Sequence, residues 1–151
     1  MSATKEIAAK ALQTTASDFI GTWKLVDYSF LHEDGTVEKP WGDHVVGYLI
    51  YSAEGYMSGN LSPAGRRHNL ESGDPQKRSR KRDYIAYAGP YTVDGSTVTH
   101  YVEVSLFPNW LGTAQLRYHK REGNTLILRT PPIPSGEGVV AVQLTWEKVT
   151  K

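Results

Sequence analysis

The sequence of 151 residues predicts an all-β fold, an antiparallel up-and-down barrel of about eight strands. Two observations carry this. Aromatic and β-branched residues, with 9 Tyr and 4 Trp among them, cluster in short runs. The runs are separated by turn signals, drawn from 14 Gly and 8 Pro, at hairpin-like intervals.

The elements follow in order. Residues 4–13 favour a short N-terminal helix, with Ile7, Ala8, Ala11 and Leu12 on one face. Ser17 or Asp18 caps a turn into the first strand, Thr22 to Leu31. Glu33-Asp34-Gly35 turns the chain. His44 to Ser52 and Tyr56 to Leu61 make a hairpin about Ala53-Glu54-Gly55. Residues 62–77 form a loop, and a short helix near 78–88 places Tyr84 and Tyr87 on one face. Tyr91 to Val93 and Thr97 to Leu106 flank the turn Asp94-Gly95. Phe107 to Gly112 connects to the strand Thr113 to Lys120, Glu122-Gly123-Asn124 turns again, and Thr125 to Thr130 and Val139 to Val149 complete the set. The barrel domain occupies residues 19–149, and residues 1–18 are an N-terminal extension.

Composition narrows the function. A net charge of +1 gives no global drive toward nucleic acid or an anionic membrane. The absence of cysteine excludes disulfides, thiolate metal sites and cysteine nucleophiles, and fits a reducing, cytoplasmic location. No apolar run reaches the roughly 18 residues of a membrane helix, and the N-terminus lacks the continuous apolar stretch of a secretory signal. The five histidines have no ligand-type spacing, so no metal is expected. No nucleotide or nucleophile-elbow motif occurs, so no cofactor is expected. Residues 65–82 carry seven basic and two acidic side chains. That patch reads as a solvated loop, since aromatics of a nucleic-acid reader are not interleaved in it. The alternatives are steering of an anionic ligand and, ranked last, an interaction module that touches RNA or phospholipid.

Ile20-Gly21-Thr22-Trp23 opens the first strand with the Gly-x-Trp of lipocalin and fatty-acid-binding barrels. Gly47-Tyr48-Leu49-Ile50-Tyr51, Gly55-Tyr56-Met57-Ser58, Tyr84 to Gly89, His100, Ser105 to Trp110, Gly112-Thr113, Arg117 and Trp146-Glu147 follow in order. Together they resemble the lipocalin-like domain family of bacteria and fungi. The resemblance implies a small barrel with an internal cavity, its Trp23 plugging one end with Lys148 packed on it, and implies little chemistry. Pro90 and the basic segment before Tyr84 depart from the pattern.

Polar residues on an inward face indicate a ligand rather than a solid core. If Leu106 pairs with Thr113, then His100 faces His119, Val102 faces Arg117, and His100, Gln115 and Arg117 share one face. The binary pattern supports the reverse, with Ala114, Leu116 and Tyr118 inward and Gln115, Arg117 and His119 in solvent. An inward Arg117 requires a partner, either a ligand carboxylate or phenolate or, after a bulge, Glu103. Tyr51 and Tyr87 are candidates to orient a ligand, and Trp110 either rims the cavity mouth or staples its turn. The ligand-binding candidates are thus Arg117, Gln115, His100, Tyr51, Tyr87 and Trp110.

Two functions remain open. One is binding of a small hydrophobic or aromatic molecule. The other is a cofactor-independent cyclase, isomerase or dehydratase for a polyketide or terpenoid intermediate, with His100, Glu103 and Tyr87 as the catalytic candidates. His100 and Glu103 fall on opposite faces of a regular strand, so that pair needs a bulge or placement on different strands. The oligomeric state is open, a homo-oligomer included.

Overall fold

The computed structural model describes residues 15–68, 73, 82–133 and 138–150. Ten strands follow in order: β1 (Gly21–His32), β2 (Val37–Glu38), β3 (Val45–Tyr51), β4 (Tyr56–Pro63), β5 (Ile85–Asp94), β6 (Thr97–Tyr101), β7 (Val104–Ser105), β8 (Ala114–Glu122), β9 (Thr125–Arg129) and β10 (Val139–Lys148). The sheet order is β10-β9-β8-β6-β5-β4-β3-β1, and β1 pairs again with β10. Eight long strands therefore close an antiparallel barrel; β2 is a short flap on β1, and β7 pairs β5.

Strand alternation sets the interior. Trp23, Leu25, Leu49, Tyr51, Met57, Leu61, Tyr91, Val98, Leu126, Leu128 and Trp146 form the buried core. A register shift in β1 between Leu25 and Asp27 reverses the alternation, so that Tyr28 also turns inward.

One end is plugged. Trp23 is fully buried, and its indole N–H donates to the Phe19 carbonyl at 2.8 Å. Lys148 Nζ lies 5.2 Å and the Arg121 guanidinium 5.3 Å from the Trp23 ring centroids they cover. Lys148 also donates to the Ile20 carbonyl at 2.8 Å. Gly21 sits at φ +135°, and a Cβ there would meet Lys148 Cε at 2.9 Å, which accounts for the glycine of the Gly-x-Trp.

Three expectations change. The helix near 78–88 is replaced over its described part by β5, because Ile85, Tyr87, Gly89 and Tyr91 alternate with period two. Tyr84 precedes that strand. The strand Thr97 to Leu106 ends at Tyr101, after which β7 turns back to β5. The β6–β8 hairpin closes where the Val102 N–H donates to the Thr113 carbonyl, so His100 pairs Gln115 and Val98 pairs Arg117. That register differs from the expected one by an even number of residues, which leaves the faces unchanged. The expected N-terminal helix at 4–13 and most of the basic segment lie outside the described residues. The cap of the 3₁₀ turn Ala16–Asp18 is Thr15, not Ser17 or Asp18; Asp18 is the turn's third residue, and its carboxylate accepts the Thr15 N–H at 2.8 Å.

Candidate functional site

The end of the barrel away from Trp23 holds a chamber of about 450 Å³. Its wall is chiefly apolar: Leu49, Leu61, Ile85, Leu128, Val142, Leu144 and the Pro131-Pro132-Ile133 segment. Gly59 leaves a gap in that wall. Beside it lies an aromatic vestibule of about 580 Å³, with Phe30, Trp41, Tyr84 and Phe107 in its lining, and the two share Tyr28, Ile85 and Trp110. Tyr28 stacks on Trp41 with centroids 4.3 Å apart, and Trp110 packs edge-on to Tyr87 at 5.4 Å and to Phe107 at 5.0 Å. Trp110 ends a 3₁₀ turn, Pro108–Trp110, started by a proline at its first position. It therefore rims the chamber.

One side of the chamber is polar. β8 turns Gln115, Arg117 and His119 inward and leaves Ala114, Leu116 and Tyr118 outside, against the binary pattern. His119 goes to the plugged end, edge-on to Phe19 at 4.9 Å. Gln115 and Arg117 line the chamber. Arg117 donates to the Gln115 Oε1 at 3.2 Å and to the Leu116 carbonyl at 2.9 Å. Gln115 Nε2 donates in turn to Thr113 Oγ1 at 2.8 Å.

His100, 1% exposed, holds one tyrosine at each ring nitrogen. Nε2 lies 2.6 Å from the Tyr51 hydroxyl and Nδ1 2.7 Å from that of Tyr87. Burial first, and the Arg117 charge second, depress the His100 pKa to about 3, so the ring is neutral near pH 7. A neutral imidazole donates at one nitrogen only. Tyr51 is buried and has no other hydrogen-bond partner among the described residues, so its proton goes to Nε2; the opposite tautomer would strand that proton at a cost of about 1–3 kcal/mol. Nδ1–H then donates to the Tyr87 oxygen. Tyr87 lines the chamber, and its own proton is left for whatever the chamber holds. Burial raises the pKa of both phenols, while Arg117 opposes the rise.

The expected site residues thus divide. His100, Tyr87, Gln115, Arg117 and Trp110 meet at the chamber, and Tyr51 stands behind His100. Glu103 does not join them. It is exposed on the outer face, beside Ile50, Gly89 and Val104, with its N–H bonded to the Ala88 carbonyl, so no His100–Glu103 pair exists. Nor does Glu103 neutralise Arg117: among the described residues Arg117 has no ion pair, and no Asp or Glu lines the chamber. No three His, Asp or Glu side chains converge as metal ligands among the described residues.

Sequence reasoning missed Tyr28, Leu128, Trp41 and the Pro131–Ile133 rim. Trp41 had a signal, a tryptophan after Pro40 in a polar turn; the inward Tyr28 depends on the β1 bulge, which leaves no signal in the pattern.

Residues 20–149 match the model of a family described as the lipocalin-like domain. The chain is 37% identical over 92 residues, 54% of its length and 82% of the relative's, to the 4′-hydroxy-3′-methoxypropiophenone carrier protein of Aspergillus oryzae. Two solved structures are similar at lower identity. A lipocalin-like protein from Bacteroides uniformis (17% identity, TM-score 0.47) aligns over 87% of this chain and 99% of its own. An uncharacterized protein from Bacteroides eggerthii (14%, TM-score 0.46) aligns over 87% and 100%.

Proposed function

This chain belongs to the lipocalin-like domain family, and from that premise we propose that it is a carrier whose barrel encloses a small phenolic aryl ketone or a close aromatic relative. The carrying observation is the apolar chamber with one polar cluster, Tyr87, Gln115 and Arg117, on its wall. Its volume of about 450 Å³ suits a single-ring aromatic with short substituents. The name of the Aspergillus oryzae relative supports the same class of cargo.

Calorimetric titration with 4′-hydroxy-3′-methoxypropiophenone tests this. Saturable binding at one site is expected. Gly59→Leu should abolish it, because that side chain would fill the chamber while its Cβ meets only Leu49 Cδ1 at 3.5 Å and Met57 Cε at 3.9 Å. Absence of binding to the native protein, or binding that survives Gly59→Leu, contradicts the proposal.

The Tyr51–His100–Tyr87 chain beside Arg117 favours a second reading, a cofactor-independent isomerase, cyclase or dehydratase in which a tyrosine moves a proton and Arg117 stabilises an enolate. A His100 pKa of about 3 makes the imidazole a weak base near pH 7, which argues for the carrier. Turnover of an enolisable aryl ketone, read as solvent-deuterium incorporation and lost in Tyr87→Phe, would reverse that preference.

A further inference from the structure

We propose that the chamber takes its cargo as the phenolate, with Arg117 as counter-ion and the Tyr87 hydroxyl as a second donor. This rests on the carrier reading above and specifies the ionisation state of the ligand.

The argument begins with an uncompensated charge. Arg117 is only half-exposed, on the chamber wall. The acceptors it reaches are neutral, the Leu116 carbonyl and Gln115 Oε1. A guanidinium cannot shed its proton to escape desolvation, so a partly buried one gains from an anion. Among the described residues, no carboxylate supplies that anion. His100 is neutral, which leaves Arg117 as the charged group among the described lining side chains.

The second donor follows from the histidine tautomer. Because Tyr51 occupies Nε2, Tyr87 receives Nδ1–H and turns its own proton to the chamber. The polar side therefore presents a cation and a hydroxyl donor. A phenol para to a ketone suits this arrangement: ionised, its charge spreads from the phenolate oxygen through the ring to the carbonyl. The step is simple in balance. The phenol O–H bond breaks, the electron pair stays on oxygen, and the proton leaves to bulk buffer.

Opposite charge at contact distance lowers an acid's pKa by about 1–3 units. Burial in the apolar chamber opposes this, as it does for Tyr87, so the charge pair must outweigh desolvation, with a net fall of about one unit. The test uses 4′-hydroxy-3′-methoxypropiophenone and its 4′-O-methyl ether, at a pH about one unit below the free phenol's pKa. Difference absorption should show the long-wavelength phenolate band on binding, with one proton released per bound phenolate in weak buffer. The methyl ether, which cannot ionise, should bind more weakly, by about twofold for a one-unit shift and about tenfold for a two-unit shift at this pH. Arg117→Gln should lose the band yet still bind the neutral phenol, and Arg117→Lys should keep most of the band, which separates loss of charge from misfolding.

Binding of the phenol with an unshifted spectrum overturns the proposal alone and leaves the carrier reading standing. So does a band that persists in Arg117→Gln. Failure of both phenol and ether to bind overturns the two together.

Discussion

His100 is the residue whose protonation the fold most strongly opposes. Its pKa, depressed to about 3 by burial and by Arg117, lies below the unfolded value near 6.5, so the unfolded chain binds the extra proton between those limits. The stability His100 contributes is therefore complete above pH 6.5 and lost as pH falls toward 3, by up to about 1.4 kcal/mol per pH unit. Urea denaturation at stepped pH should show this slope, and His100→Gln should flatten it. His119, whose pKa burial also lowers, contributes in the same direction, so His119→Gln is the control and should flatten it less. The flanking phenols are distinguishable. Tyr87→Phe leaves Nδ1–H without an acceptor and should cost about 1–3 kcal/mol together with much of the ligand affinity. Tyr51→Phe should cost a similar amount of stability with a smaller effect on affinity, because Tyr51 does not line the chamber.

At the scale of elements, β5 holds the site in place. It pairs β4 along its first half, and on its other edge it changes partner from β7 to β6 about Gly89–Pro90. The end of β6 passes so close that a Cβ on Gly89 would lie 1.8 Å from the Tyr101 carbonyl oxygen. Backbone cannot yield as a flexible side chain can, so Gly89→Ala should destabilise the barrel by about 3 kcal/mol or more, read from denaturant midpoints. This strand was also the hardest to see in the sequence. Tyr84 and Tyr87 are three apart after a basic run, which mimics a helical face, while the Tyr87-Gly89-Tyr91 alternation is interrupted in hydrophobicity by its glycine. On β8 the difficulty was of another kind. The apolar set Ala114, Leu116 and Tyr118 looked like a core face, yet it meets solvent, because the barrel encloses a chamber that admits polar side chains. Family resemblance, by marking Arg117, pointed the right way where the binary pattern did not.

Across the whole molecule, the barrel was legible because short hairpins leave few other closures for eight strands, and Gly21, Trp23 and Lys148 mark the plugged end. The site was legible in its residue types and only partly in its geometry. His100, Gln115 and Arg117 share a face under either register because an even shift preserves faces, whereas the tyrosine partners of His100 come from β3 and β5, 49 and 13 residues away along the chain. No local pattern encodes contacts of that range. The same closure divides the molecule into an end plugged by Trp23 and an aromatic mouth at Trp41 and Trp110. The central claim, that this chamber is where the ligand sits, is tested most directly by intermolecular NOEs from bound 4′-hydroxy-3′-methoxypropiophenone. The account predicts contacts from its aromatic protons to Tyr87, Trp110 and Leu128. Contacts confined to the outer-face residues Tyr48, Ile50 and Val104 would contradict it.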